Sequence, residues 1–163
     1  MIVLVGFMGA GKTTVGRLLA AKLAVPFSDS DHVIEARAGK PVRQIFADDG
    51  EPAFRQLEHD VIADVLAKNE DMVLALGGGA AVHEGTRANL ARSDVPVVYL
   101  KVSYAEAMRR VGGDQGRPML ARPGVADLYD DRAPRYAQAA TFTVDADDKT
   151  PEELALAILA RLR

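Results

Sequence analysis

Cysteine and tryptophan are absent from this 163-residue chain, and aromatic residues make up only 6% of it. Without cysteine there is no disulfide framework, no thiolate metal site and no thiol nucleophile. No apolar run approaches the roughly 18 residues that a membrane span requires. The chain opens directly into Met1-Ile-Val-Leu-Val5 instead of a charged and then apolar signal segment. A cytoplasmic protein that engages no membrane is therefore expected. Basic residues are not in excess: 20 Lys+Arg against 23 Asp+Glu leave a formal net charge of −3, which argues against a nucleic-acid partner. Most of the basic residues are Arg, so local anion sites stay open. The three histidines, His32, His59 and His83, do not cluster along the chain and lack metal-ligand spacing; they read as surface or structural residues.

What is present is 48% hydrophobic residues in a length that suits one domain, residues 1–163, burying roughly two thirds of its surface. Short apolar runs at Ile2–Val5, Met72–Leu76, Val95–Leu100 and Thr141–Val144 fit strands, with a weaker one at Val25–Ser28. Segments with helical spacing lie between them. Val15, Leu18, Leu19, Lys22 and Leu23 mark one stripe, and Phe54, Leu57, Val61 and Val65 mark another with Pro52 in its first turn. Ser103 to Glu106 and Thr150 to Glu153 have the spacing of capping boxes, and Pro151 suits a first helical position. Continuously apolar strands alternating with helices predict an α/β fold with a parallel sheet covered on both faces.

Gly6-Phe-Met-Gly-Ala-Gly11-Lys12-Thr13 matches G-x-x-x-x-G-K-[ST], and it lies between an expected strand and an expected helix. Glycines let successive backbone N–H groups turn toward phosphates. Lys12 would reach the β/γ-phosphates, and the Thr13 hydroxyl would sit on Mg²⁺. Nucleoside triphosphate binding follows. A guanine-nucleotide switch would need Asp-x-x-Gly and Asn-Lys-x-Asp; neither occurs, and Asn69 and Asn89 are not followed by Lys. A small-molecule kinase is the better reading.

Asp29-Ser-Asp31 stands at the end of the expected second strand, where two carboxylates at i and i+2 would project over the ligand-binding edge of the sheet. One could support Mg²⁺ while the other orients an acceptor hydroxyl; capping of the next helix by Ser30 or Asp31 is the plainer role. Arg55 is either a solvated helix residue or a carboxylate-binding fork. Gly77-Gly78-Gly79 directly after a strand is entropically costly and is explained by close approach of a ligand or by a sharp turn. Arg109 and Arg110 end a helix, where positive charge suits the dipole. The Gly-, Pro- and Arg-rich stretch 112–124 reads as a surface loop or an active-site lid, with Arg117 able to fold over phosphoryl charge.

In order and spacing, these motifs resemble the shikimate kinase family across nearly the whole chain. They are the Gly6–Thr13 loop, Asp29-Ser-Asp31, Asp49-Gly50-Glu51 leading to Phe54-Arg55, Gly77-Gly78-Gly79, Arg117-Pro118 and Arg132-Ala-Pro134-Arg135-Tyr136. The resemblance implies a three-layer P-loop kinase fold with a central five-stranded parallel sheet of order 2-3-1-4-5. It also implies a substrate-binding segment near residues 30–60 and a lid near 112–124. The activity implied is transfer of the γ-phosphoryl of ATP to the 3-hydroxyl of shikimate, by a monomer whose partners are these small molecules.

Carried over residue by residue, Asp31 would meet the acceptor hydroxyls and Lys12 and Arg117 would act on the transferring phosphoryl group. Arg55, Arg132 and the backbone of Gly77, Gly78 and Gly79 would hold shikimate. Gly9, Ala10, Gly11, Lys12, Thr13, Thr14, Arg110 and Arg117 would hold ATP, and Thr13 and Asp29 would hold Mg²⁺. Two departures stand out: Arg135 where the family shows Leu, and a segment from Arg117 to Arg132 about four residues, or roughly one helical turn, shorter. A gluconate-kinase-like enzyme and an inert nucleotide-binding protein are the alternatives.

Overall fold

A computed structural model describes residues 1–112 and 123–162 of the chain. The stretch that includes Arg117, and so most of the expected lid at 112–124, lies outside the described residues.

Five strands form one sheet: β1 (Ile2–Val5), β2 (Phe27–Asp29), β3 (Val73–Ala75), β4 (Val97–Lys101) and β5 (Phe142–Asp145). Their order is β2-β3-β1-β4-β5, and every pairing is parallel. Every residue of β1 and β3 is buried, as are the first four of β4. The edge strands β2 and β5 are partly exposed. Near-continuous apolar runs need cover on both faces, and the central three strands have it.

The cover comes from α1 (Lys12–Leu23), α2 (Ser30–Ala38), α3 (Val42–Lys68), α4 (Glu84–Arg92), α5 (Tyr104–Gly112), α6 (Val125–Ala139) and α7 (Pro151–Arg161), with a 3-10 helix at Ala80–Val82. Helix α1 packs on α7, and α4 on α6. The stripe expected on α1 holds at Val15 and Leu19, but Leu23 at its end is 40% exposed. Helix α3 is two helical segments joined at Gly50, whose φ of 81° and ψ of 169° are not helical. Pro52 thus falls in the first turn of the second segment, where its missing N–H costs nothing. A separate small core of Ile34, Ile45, Phe54 and Val61 joins α2 to α3. Among the described residues no helix is long and apolar enough to cross a membrane.

Caps fall close to where sequence patterns put them, with two differences. Thr150 and Glu153 form the reciprocal capping box. Ser103 makes only half of one: its hydroxyl accepts from Glu106 N (3.2 Å), while its own amide donates to Asp147 (2.9 Å). The Glu106 carboxylate is drawn instead to Arg109 and Arg110. The cap of α2 is Asp29, whose side chain accepts from Asp31 N at 3.0 Å, one residue before Ser30 and two before Asp31. Because all five strands run parallel, their C-terminal ends form one edge, where ligands of such sheets bind.

Candidate active site

Beyond β1, the Gly6–Lys12 loop curls beneath the start of α1. Gly9 adopts φ 76°, and a Cβ there would lie 2.9 Å from the Ala107 carbonyl; glycine is required on both counts. The first bond within α1 runs from Val15 N to Gly11 O at 2.9 Å, so the Thr13 and Thr14 amides precede it without helical acceptors. No acidic residue occupies this first turn, which leaves the positive end of the helix open to an anion. The Lys12 ammonium donates to the carbonyls of Gly6 (2.7 Å) and Phe7 (3.0 Å). A cleft of about 470 Å³ runs along Gly9–Thr14 and is walled by Arg109, Arg110, Lys149 and Pro151. Arg110 braces that wall by donating to Glu106 (2.6 Å), Gly9 O (3.3 Å) and Ala146 O (2.7 Å).

A second cluster gathers over the glycine turn that ends β3. A Cβ on Gly77 would lie 2.8 Å from Asp31 Oδ1 and 3.1 Å from Glu58 Oε1, and one on Gly79 would overlap the Arg55 guanidinium. Arg132 Nη1 stands 3.6 Å from the Cβ position of Gly78, and Gly6 O, which Lys12 holds, stands 3.9 Å from it. The protein's own side chains crowd the three glycines, so the close approach expected of a ligand is made first by Asp31, Glu58 and Arg55. Ser30, 1% exposed, seats the turn by accepting from Gly77 N at 2.9 Å.

Asp29 and Asp31 reach this edge differently from the strand alternation expected of them. Asp29 ends β2, whereas Asp31 already belongs to the first turn of α2. Arg55 is not the solvated helix residue of the plainer reading: its side chain is 14% exposed. It pairs with Glu58 at 2.6 Å and lies over the rings of Phe54 (5.1 Å) and Phe46 (5.8 Å). Arg132 is 9% exposed on α6. Among the described residues, the buried Nε atoms of Arg55 and Arg132 have no hydrogen-bond acceptor. Two guanidinium groups with unused buried donors suit a carboxylate, which can accept from both. Arg135 turns elsewhere, to Asp131 (2.9 Å) and Val82 O (3.2 Å).

The electrostatics differ across the cluster. Burial, and then the charge of Asp29, raises the Asp31 pKa above the ordinary aspartate value, while Lys12 and Arg55 oppose the rise. Burial pushes Glu58 up to about 6 against the pull of Arg55. Asp31 is thus a base of raised proton affinity within the field of both cations.

Sequence reasoning brought Lys12, Asp31, Arg55, the three glycines and Arg132 to this region. It missed Glu58, Ser30 and the Tyr136 hydroxyl, which donates to Gly78 O. Glu58 had one signal, its position three residues after Arg55 on a helix. Two of the histidines, though distant along the chain, meet in space: His59 and His83 stack, with ring centroids 4.4 Å apart. Among the described residues no group of three or more His, Cys, Asp or Glu could hold a metal.

The family model for shikimate kinase matches residues 8–163. The chain belongs to the shikimate kinase family. The shikimate kinase of Thermobifida fusca is 50% identical, with 99% of this chain and 94% of that protein covered. That of Mycobacterium tuberculosis is 47% identical, with 99% and 92% covered. Among solved structures, shikimate kinase from Acinetobacter baumannii in complex with shikimate superposes with a TM-score of 0.89 at 38% identity, covering 99% of this chain and 91% of that one. A gluconokinase from Sinorhizobium meliloti reaches a TM-score of 0.62 at 23% identity, with 99% and 91% covered, a likeness of fold alone. Membership of the shikimate kinase family makes this chain an ATP-dependent phosphotransferase.

Proposed function

We propose that this chain transfers the γ-phosphoryl group of ATP to the 3-hydroxyl of shikimate, with Asp31 as the proton acceptor. The observation that carries the reading is the meeting of Asp31, Arg55 and Arg132 on one glycine turn, beside the carbonyl that Lys12 holds. Shikimate is a small anion bearing hydroxyl groups, and this cluster offers a carboxylate base flanked by two guanidinium forks. Arg55 and Arg132 bind its carboxylate, the backbone of Gly77–Gly79 lines its ring, and Asp31 receives the 3-hydroxyl. The bond from that oxygen to Pγ forms as the bond from Pγ to the β,γ-bridging oxygen breaks, and the hydroxyl proton passes to Asp31.

Phosphoryl transfer needs positioning and charge neutralisation more than covalent help. Lys12 and Arg117 supply positive charge to the transferring group, and Gly9–Thr14 with Arg110 hold the nucleotide. A lid at 112–124, as the resemblance implies, would exclude water from the site. Mg²⁺ keeps most of its waters and takes few protein ligands. The Thr13 hydroxyl at the loop edge and the Asp29 carboxylate at the end of β2 are oxygen donors of that kind, and the ion would neutralise phosphate charge there. The enzyme works as a monomer in the cytoplasm.

The test is ADP release from ATP with shikimate, gluconate or no acceptor. Turnover above the blank is expected with shikimate alone; a shikimate rate equal to the blank overturns the reading. Asp31→Asn is expected to cut turnover by roughly 10²–10⁴-fold with ATP affinity retained, and undiminished turnover would remove Asp31 from the chemistry.

A further inference from the structure

Helix α6 grips the glycine turn at two points beyond Arg132. Tyr136, 1% exposed, donates its hydroxyl proton to Gly78 O. Its ring packs on Tyr99 of β4, with centroids 5.4 Å apart, so the sheet fixes the phenol from behind. One residue earlier, Arg135 donates to Val82 O at 3.2 Å. Val82 ends the 3-10 helix that follows the glycines, and its carbonyl also accepts from Arg87 at 2.7 Å. The carbonyls at the end of such a helix lack partners of their own, and the two arginines supply them. The two grips therefore bracket the turn, at Gly78 and at Val82.

Arg132 stands four residues before Tyr136, on the same helical face. Its Nε has no acceptor among the described residues, and its guanidinium faces the Tyr136 hydroxyl. A phenol has one proton to donate and lone pairs to spare. With that proton committed to Gly78 O, the oxygen is left to act as an acceptor, and Arg132 is the donor that faces it. Burial drives the phenol pKa upward, so the hydroxyl keeps its proton throughout the working pH range.

We infer that Arg135 and Tyr136 are positioning residues that fix the register of α6 on the Gly77–Val82 turn and thereby aim Arg132 at the substrate carboxylate. The inference rests on the reading of Arg132 given under the proposed function. Neither side chain touches substrate; both act through Arg132 and the peptide of Gly78.

The experiment measures KM for shikimate and for ATP in Tyr136→Phe, Arg135→Leu, Arg132→Ala and the pair Arg132→Ala/Tyr136→Phe. Tyr136→Phe, which keeps the ring, is expected to raise the shikimate KM roughly 5- to 50-fold. Arg135→Leu, at a half-buried position, is expected to raise it roughly 3- to 10-fold. The ATP KM should stay within about twofold in both, which a general loss of structure would not allow. In the Arg132→Ala background the effect of Tyr136→Phe should shrink below about twofold, as expected when one residue works through the other. A wild-type shikimate KM in either single variant, a parallel rise in ATP KM, or an undiminished Tyr136 effect without Arg132 overturns the inference while the reading of Arg132 stands. An unchanged shikimate KM in Arg132→Ala overturns that reading and the inference with it.

Discussion

Glu58 is a carboxylate with 1% of its side chain exposed, held as an anion chiefly by Arg55. Its pKa of about 6 against an ordinary value of 4.5 means that the folded protein binds this proton more tightly than the unfolded chain. The stabilising contribution is therefore full below about pH 4.5 and is lost as pH rises through about 6. The loss is on the order of 1–2 kcal/mol. Glu58→Gln should flatten this part of the stability profile, measured by denaturant unfolding between pH 4 and 7; a slope equal to that of the wild type would exonerate Glu58. In the other direction, protonation below about pH 6 weakens the anchor of Arg55, so the shikimate KM of the wild type should climb as pH falls. Asp31 and Arg55 were legible because each lies inside a recognisable motif. Glu58 was not, since an acid three residues from an arginine looks like any surface helix pair until burial distinguishes it. The His59–His83 stack was hidden for a similar reason: 24 positions separate the rings in the sequence, and only the docking of α3 against the start of α4 brings them together.

Among the elements, α3 shows most clearly how local chemistry sets geometry. Its hydrophobic period correctly announced a helix from Phe54 onward, and Pro52 announced that helix's first turn. The segment before it, from Val42, was not foreseen. In the structure Gly50 is the joint itself, with φ and ψ in a region open almost only to glycine. Gly50→Ala would meet no steric obstacle nearer than Pro52 Cδ at 3.8 Å, so its cost is conformational. About 1–3 kcal/mol of stability should be lost, read from denaturant midpoints at constant m-value; an unchanged midpoint would mean that the bend forms without glycine. The half-made cap at Ser103 teaches the converse. The Ser-x-x-Glu pattern was present, but Asp147 from a distant loop and two nearby arginines offered both partners something stronger.

At the scale of the whole molecule, the strand order was implied by resemblance, and the parallel sheet was readable from the apolar runs alone. What sequence could not reveal is that, among the described residues, the hydrophobic interior is in two parts. The larger surrounds the sheet, and the smaller, Ile34, Ile45, Phe54 and Val61, lies between α2 and α3. Fewer buried contacts mean a lower local opening energy. Amides of α2 and the first part of α3 should therefore exchange with solvent ahead of those in β1, β3 and β4. If shikimate binds beside Asp31 and Arg55 as proposed, a saturating concentration of it should slow that exchange more than a nucleotide analogue does. Hydrogen-exchange mass spectrometry reads both; equal protection by the two ligands would disconnect this smaller core from acceptor binding.

The position of β1 carries a further consequence, for the order of events during synthesis. Strand β1 lies between β3 and β4 in the sheet, and these neighbours begin to pair with it only at Val73 and Val97. At translation rates of roughly 5–20 residues per second, Ile2–Val5 waits about 4–15 s for its first partner strand and longer for its second. Throughout that interval four consecutive apolar residues have no sheet to join. Closing such distant contacts is also slow in its own right, because the chain entropy must be surrendered before the pairing compensates for it. The centre of the finished sheet is thus laid down as an apolar stretch well before the strands that will flank it.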